Sequence, residues 1–177
     1  GGCIMTPYAD DLSACIAVLL AAEQMKDSLN DVYFVFTVQE EVGLRGATVA
    51  AYRLKPYMCI ACDVCYTGDS PESKQMMAVR LGAGPAIKVM DSSLICSPQT
   101  VEHLRLSAEA ERISYQNEIL IGGGTDSGAM QLSGEGVLSG CVSIPARNVH
   151  SPCEIFCWQD VRLAARLLAA AAMRELS

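Results

Sequence analysis

The side chains able to do chemistry in this sequence are carboxylates and one imidazole: Asp10-Asp11, Glu40-Glu41, Asp63 and His150. Hard or borderline divalent ions take carboxylate oxygens and imidazole nitrogens as ligands. A hydrolase built on two such ions needs one carboxylate that bridges them and another left free as base. Glu40-Glu41 supplies a candidate base and a candidate ligand side by side. Each group also has a plainer reading. Asp10-Asp11 precedes a helical pattern, where an N-cap and a first-turn acid favour the helix dipole. Glu40-Glu41 closes an apolar run and reads equally as a solvated turn. Asp63 is flanked by Cys62 and Val64, so solvent does not account for it, and a charge in apolar company needs a partner. His150, in the string Asn148-Val149-His150-Ser151-Pro152, reads equally as a turn residue. His103 is the only other histidine. It sits in a helical pattern beside Glu102 and Arg105 and reads as a surface or packing residue.

The elements that must position these groups follow from periodicity. Residues 11–25 predict a helix, with Leu12, Cys15, Ile16, Leu19 and Leu20 as its apolar positions. Residues 32–38 (VYFVFTV) are β-branched and aromatic and predict a central buried strand with Glu40-Glu41 at its end. A short helix over 46–53 is ended by Pro56, and residues 58–62 predict a buried strand ending in Asp63. Strands follow over 76–81, 86–90, 115–121 and 137–144, the last interrupted at Gly140, with helices over 98–112 and 160–176. Strands alternating with helices predict an α/β fold, a three-layer α/β/α sandwich around a mostly parallel mixed sheet, as one domain over residues 1–177. In such sheets, sites gather beyond the carboxyl ends of strands. Glu40-Glu41, Asp63, the loop from Gly122 to Gly128 and His150 all follow predicted strands. That loop, with Gly123, Gly124, Thr125 and Asp126, serves either as a tight turn or as a place where backbone amides approach a substrate. It lacks the dinucleotide-binding glycine spacing, and the chain has no G-x-S-x-G elbow.

Composition narrows the partners. The formal charge is −7 and the pI about 4.8, which disfavours nucleic acid and anionic membrane. Hydrophobic residues make up 51% of the chain and mean hydropathy is +0.25, the balance of a globular domain with a sizeable core. No apolar run is long enough to span a bilayer. The nine cysteines form no regular framework. An odd count in a chain of this length argues for reduced thiols in a cytoplasmic protein. Cys59, Cys62 and Cys65 have part of an iron–sulfur spacing, but no fourth cysteine follows, and buried structural thiols are the favoured reading.

Taken together, the strings ADD at 9–11, VQEEVGLRGA at 38–47, GDSP at 68–71, LGAGP at 81–85, GGTDSGA at 123–129 and IPARNVHSP at 144–152 resemble one family in order and content. This is the glutamyl-aminopeptidase and tetrahedral-aminopeptidase family of dinuclear metallopeptidases, some of which carry cellulase or endoglucanase labels. The resemblance runs from about Ala9 to the C-terminus. It implies a zinc-peptidase-like fold and two divalent ions, zinc or cobalt. By that resemblance Asp10 bridges the ions, through a cis peptide to the supporting Asp11. Glu41, Asp63 and His150 are terminal ligands. Glu40 is the general base, carrying a proton from the attacking water to the leaving amine. Gly123, Gly124, Thr125 and Asp126 line the substrate pocket. Peptides are the implied substrates, cut at their amino ends, and the full-length form is implied to be a homo-oligomer.

Three departures bear on this expectation. The family places another histidine ligand upstream of the ADD string and inserts a small β-rich domain there. This chain has no histidine before His103, so the domain is expected to be truncated on its N-terminal side. Leu12 and Asn148 stand where many members have arginine and an aromatic residue, which bears on substrate preference. Two rival readings follow: an inactive or structural fragment with an incomplete metal site, and a related dinuclear hydrolase acting on acylated amino acids or sugars.

Overall fold

The computed structural model describes residues 2–71 and 77–176. Its strands are β1 (Cys3–Thr6), β2 (Met58–Tyr66), β3 (Ala86–Met90), β4 (Gln116–Ile119), β5 (Leu138–Arg147) and β6 (Glu154–Cys157). Its helices are α1 (Ala9–Gln24), α2 (Arg45–Leu54), α3 (Pro98–Ala110), α4 (Asp126–Gln131) and α5 (Trp158–Met173). The strands form a single mixed sheet organised around β5. The longest ladder is parallel, between β2 and β5, from Met58 opposite Leu138 to Tyr66 opposite Ala146. β3 and β6 pair antiparallel with β5, β4 lies parallel to β3, and β1 lies antiparallel to β6.

The sequence of β5 explains its central place. From Ser139 to Ala146 every residue is buried, the pattern of a strand covered on both faces. The break expected at Gly140 is absent, and the strand runs through it. A Cβ there would come within 2.6 Å of Thr100 Cγ2 on α3, so the glycine serves helix–sheet packing. Helices α1, α3 and α5 pack together on the sheet, while α2 and α4 form a second pair that reaches the sheet through α4. Small residues set the α1–α5 approach. Ala14 and Ala17 of α1 and Ala164, Ala165 and Ala171 of α5 are buried in the main core, and Ala21 of α1 is buried as well. Three of the five apolar positions expected to face inward on the first helix instead look out: Leu12, Ile16 and Leu19 are exposed, while Leu20 packs against the core and Cys15 is half-buried. An alanine stripe lets backbones approach closely, and here it outcompetes the larger side chains for the core face.

Two other expectations change. Residues 32–38 form no ladder among the described residues, and Tyr33, Phe34, Val35, Phe36 and Val38 are exposed. The segment has the composition of a buried strand, yet a strand exists only where a neighbour pairs with it. Of the strand expected over 76–81, Met76 lies outside the described residues and 77–80 are irregular. That stretch is tied in place by Gly68 donating to the Val79 carbonyl at 3.0 Å and by Gln116 bonding both backbone groups of Arg80. The interior also holds a cross-strand ion pair that hydropathy did not announce. Lys88 Nζ lies 2.6 Å from Glu118 Oε1 and 3.5 Å from Asp91 Oδ2, with all three side chains buried.

Candidate metal centre

Asp10 and Asp11 stand at the entry to α1, where the backbone leaves the helical region and the peptide between them is cis. Asp10 Oδ2 lies 3.0 Å from His150 Nε2, and the same nitrogen lies 3.4 Å from Glu41 Oε1. Asp10, Glu41 and His150 each offer a ligand atom within 4.8 Å of the others, and Asp10, Asp11 and Asp63 do the same. Asp10 therefore belongs to both groups. Asp63 sits inside β2 rather than at a strand end, opposite Ser143, and its Oδ1 accepts the Val64 N–H at 2.7 Å.

A residue that sequence reasoning did not single out holds this arrangement. Glu154, the first residue of β6, is buried. Its Oε2 accepts the Asp10 N–H at 3.0 Å and its Oε1 the His150 N–H at 2.9 Å. One carboxylate thus fixes two segments 140 residues apart along the chain. His150 has a left-handed backbone, φ 63°, as does Asn148, whose side chain donates to the Cys153 carbonyl at 3.1 Å. The signal in the sequence was an acid opening the apolar string Glu154-Ile155-Phe156-Cys157 just past His150.

The electrostatics follow from crowding. Burial first, then the neighbouring Glu41 carboxylate, push the Asp10 carboxyl up to about 6, against the pull of His150. Burial likewise raises Asp11 and Asp63 well above the ordinary carboxylate value, with each other's negative charge adding to the effect at Asp11. Glu40 is pushed up to about 7 by burial, then by Glu41, Asp126 and Asp10. Carboxylates this close cannot all ionise unless positive charge joins them. Asp11 Oδ1 and Asp126 Oδ1 are buried without a hydrogen-bond partner. Orphaned carboxylate oxygens beside an oxygen-rich donor set with one imidazole fit divalent ions of the zinc, manganese or cobalt type.

A cavity of about 870 Å³ opens beside the cluster. Asp10, Asp11, Glu40, Glu41, Asp63 and Asp126 line it, and its apolar wall comes from residues 32–36 on one side and 58–62 of β2 on another. Asp126 Oδ2 accepts the Thr37 hydroxyl at 2.6 Å. Of the glycine loop, Asp126 reaches the cavity. Gly123 and Gly124 pack against Ser92 and Ser93, and Thr125 is buried. His103 is buried in α3, with Nε2 2.8 Å from the Ala171 carbonyl oxygen, which makes it a packing residue, one of the two roles expected of it, rather than a surface residue. Burial pushes the Cys59 thiol up to about 11 and raises the Cys62 and Cys65 thiols well above the ordinary thiol value, which disfavours the thiolates a cluster would need. Among the described residues no helix is long and apolar enough to cross a membrane.

Comparison with known proteins places the chain. Residues 1–167 match the M42 glutamyl aminopeptidase family. A lysyl aminopeptidase of Pyrococcus furiosus is 35% identical over 176 residues, 97% of this chain and 48% of that protein. The solved aminopeptidase APDkam598 from the archaeon Desulfurococcus kamchatkensis superposes with a TM-score of 0.93 at 40% identity, over 97% of this chain and 49% of that one. The TET1 peptidase of Pyrococcus horikoshii, described as assembling into a tetrahedron or a large octahedral shell, superposes with a TM-score of 0.82 at 29% identity, over 98% of this chain and 51% of that one. The chain spans about half the length of the relatives it matches.

Proposed function

Because the chain belongs to the M42 glutamyl aminopeptidase family, we propose that it carries the co-catalytic metal centre of an enzyme that removes residues from the amino ends of peptides. The observation that carries this reading is the position of Asp10, shared between the Asp10–Glu41–His150 and Asp10–Asp11–Asp63 groups. A carboxylate common to two ligand sets is what a two-metal hydrolase requires. Asp10, Glu41 and His150 would hold one divalent ion, zinc or cobalt. Asp10 and Asp63 would hold the second, with Asp11 beside them.

Bound there, the ions would polarise the scissile carbonyl and ease deprotonation of the attacking water. The chain's own residues supply the rest. Glu40 lines the cavity outside both ligand groups, with a carboxyl poised at about 7. A group titrating near neutrality can accept a proton from water and return it to a leaving amine, as a general base must. Asp126 lines the same cavity, anchored through Oδ2 by the Thr37 hydroxyl. The apolar wall from 32–36 and β2 would exclude water and receive side chains. The surplus of negative charge favours a substrate with a free, protonated α-amine. The shell-forming relative and peptide substrates make a homo-oligomer of the full-length form part of the same reading.

The test separates base from ligand. Glu40→Gln should retain metal and lower kcat by about 100- to 10,000-fold. Glu41→Ala should release metal. Retention of full peptidase activity by Glu40→Gln would overturn the assignment of the base. Cleavage of N-acetylated peptides as fast as free ones would point instead to a deacylating hydrolase.

A further inference from the structure

Away from the carboxylates, two cysteines meet across the outer antiparallel ladder. Cys3 of β1 is directly opposite Cys157 of β6, and their Sγ atoms are 3.2 Å apart. The pairing next to them shows which kind of position this is. The Trp158 N–H donates to the Gly2 carbonyl, so Gly2 and Trp158 form a hydrogen-bonded pair. Such pairs alternate with non-hydrogen-bonded ones, in which Cα atoms approach to about 4.5 Å and side chains come closer. Cys3 and Cys157 occupy the latter kind, and that spacing lies within the range a disulfide spans. We propose that Cys3 and Cys157 form a redox-active dithiol, a site at which small-molecule disulfides of the glutathione class convert the chain to a Cys3–Cys157 disulfide.

The chemistry has an order. Cys3 is exposed and is the first to meet an incoming disulfide. Its thiolate attacks one sulfur of that disulfide, forms a mixed disulfide and expels one small thiol. Cys157 then loses its proton and attacks the Cys3 sulfur, closing the protein disulfide and expelling the second thiol. Two protein thiols are oxidised and one small disulfide is reduced to two thiols. Burial and the neighbouring Cys3 push the Cys157 thiol up to about 12, so it suits the resolving role better than the attacking one. Arg147, on the strand beside β6, bears positive charge toward both sulfurs and favours the thiolate form. Of the remaining cysteines, Cys65, Cys96 and Cys141 are buried, and Cys153 lies in an exposed turn. The covalent link would join β1, which leads into Asp10, to β6, which begins at Glu154.

The experiment uses the folded chain, oxidised glutathione as the probe, alkylation of the remaining thiols, and peptide mapping by mass spectrometry. The expected result is a linked peptide containing Cys3 and Cys157, loss of two of the nine thiols, full reversal by dithiothreitol, and a higher Tm for the oxidised form. In Cys157→Ser the reaction should stop at glutathione attached to Cys3. A wild-type chain that keeps both thiols, that stops at the mixed disulfide, or that links either residue to Cys153 instead would overturn the proposal. Because wild-type mapping reads the bond directly, poor folding of a variant leaves the result decisive. The thiols take no part in metal binding as proposed above, so the two readings fail separately.

Discussion

At Glu154 a single buried carboxylate accepts one amide from Asp10 in the first turn of α1 and one from the left-handed residue His150. These two amides belong to two of the proposed metal ligands, so the side chain sets the distance between them without joining them. Groups that orient ligands in this way typically change metal affinity by about 10- to 100-fold when removed. Glu154→Gln keeps shape and part of the hydrogen bonding but loses the charge that strengthens bonds to N–H groups. Glu154→Ala leaves both amides without their acceptor and should also cost about 1–3 kcal/mol of stability. The expected order of zinc affinity by isothermal titration is wild type, then Gln, then Ala, with Glu40→Gln close to wild type. Equal affinity for all three Glu154 forms would mean that the local backbone holds Asp10 and His150 unaided.

At the scale of elements, the exposed segment 32–38 makes the sharpest contrast with expectation. Its aromatic and β-branched residues over 32–37 line a cavity that β2 also lines, and β2 is paired along the sheet with β5. Unpaired amides exchange rapidly, whereas the β2–β5 ladder lies in the core. Hydrogen exchange should therefore show little protection over 32–37 and strong protection over 141–144. Slow exchange at both would mean that the segment finds a partner in solution. Where α3 packs on β5, Gly140→Ala drives a methyl into Thr100. It should destabilise the fold by about 1–3 kcal/mol in denaturant melts, the usual cost of overpacking. These cases also show what the sequence could express. Local periodicity gave the positions of α1, α2, β3, α3 and α5, and paired acids at element boundaries gave the ligand candidates. Ladder partners are non-local, so the missing pairing of 32–38, the passage of β5 through Gly140 and the short strands β1 and β6 were not written in any single window. Nor could the Lys88–Glu118 pair be read locally, because its members meet only when β3 and β4 align.

For the whole molecule the acid cluster sets a pH dependence that metal should invert. In an unfolded chain these carboxyls titrate near ~4. In the metal-free fold, Asp10 titrates at about 6 and Glu40 at about 7, with Asp11 and Asp63 also raised. A folded pKa above the unfolded one means that the fold favours the protonated group. That contribution is complete below ~4 and is lost as pH rises through the folded values. Asp69, held at about 2 by the two-pronged Arg147 guanidinium, works in the opposite sense. Its contribution persists at neutrality and fades only as pH falls from ~4 toward 2, outside the same window. The Tm of metal-free protein should therefore fall between about pH 5 and pH 8. Divalent ions bind the deprotonated carboxylates and must displace protons to do so. Zinc or cobalt should then raise Tm little near pH 5 and progressively more toward pH 8, flattening or reversing the metal-free slope. A flat metal-free profile, or an equal gain from metal at every pH, would mean that the carboxylates do not crowd one another in solution as they do here. The two-metal reading would then lose its electrostatic basis.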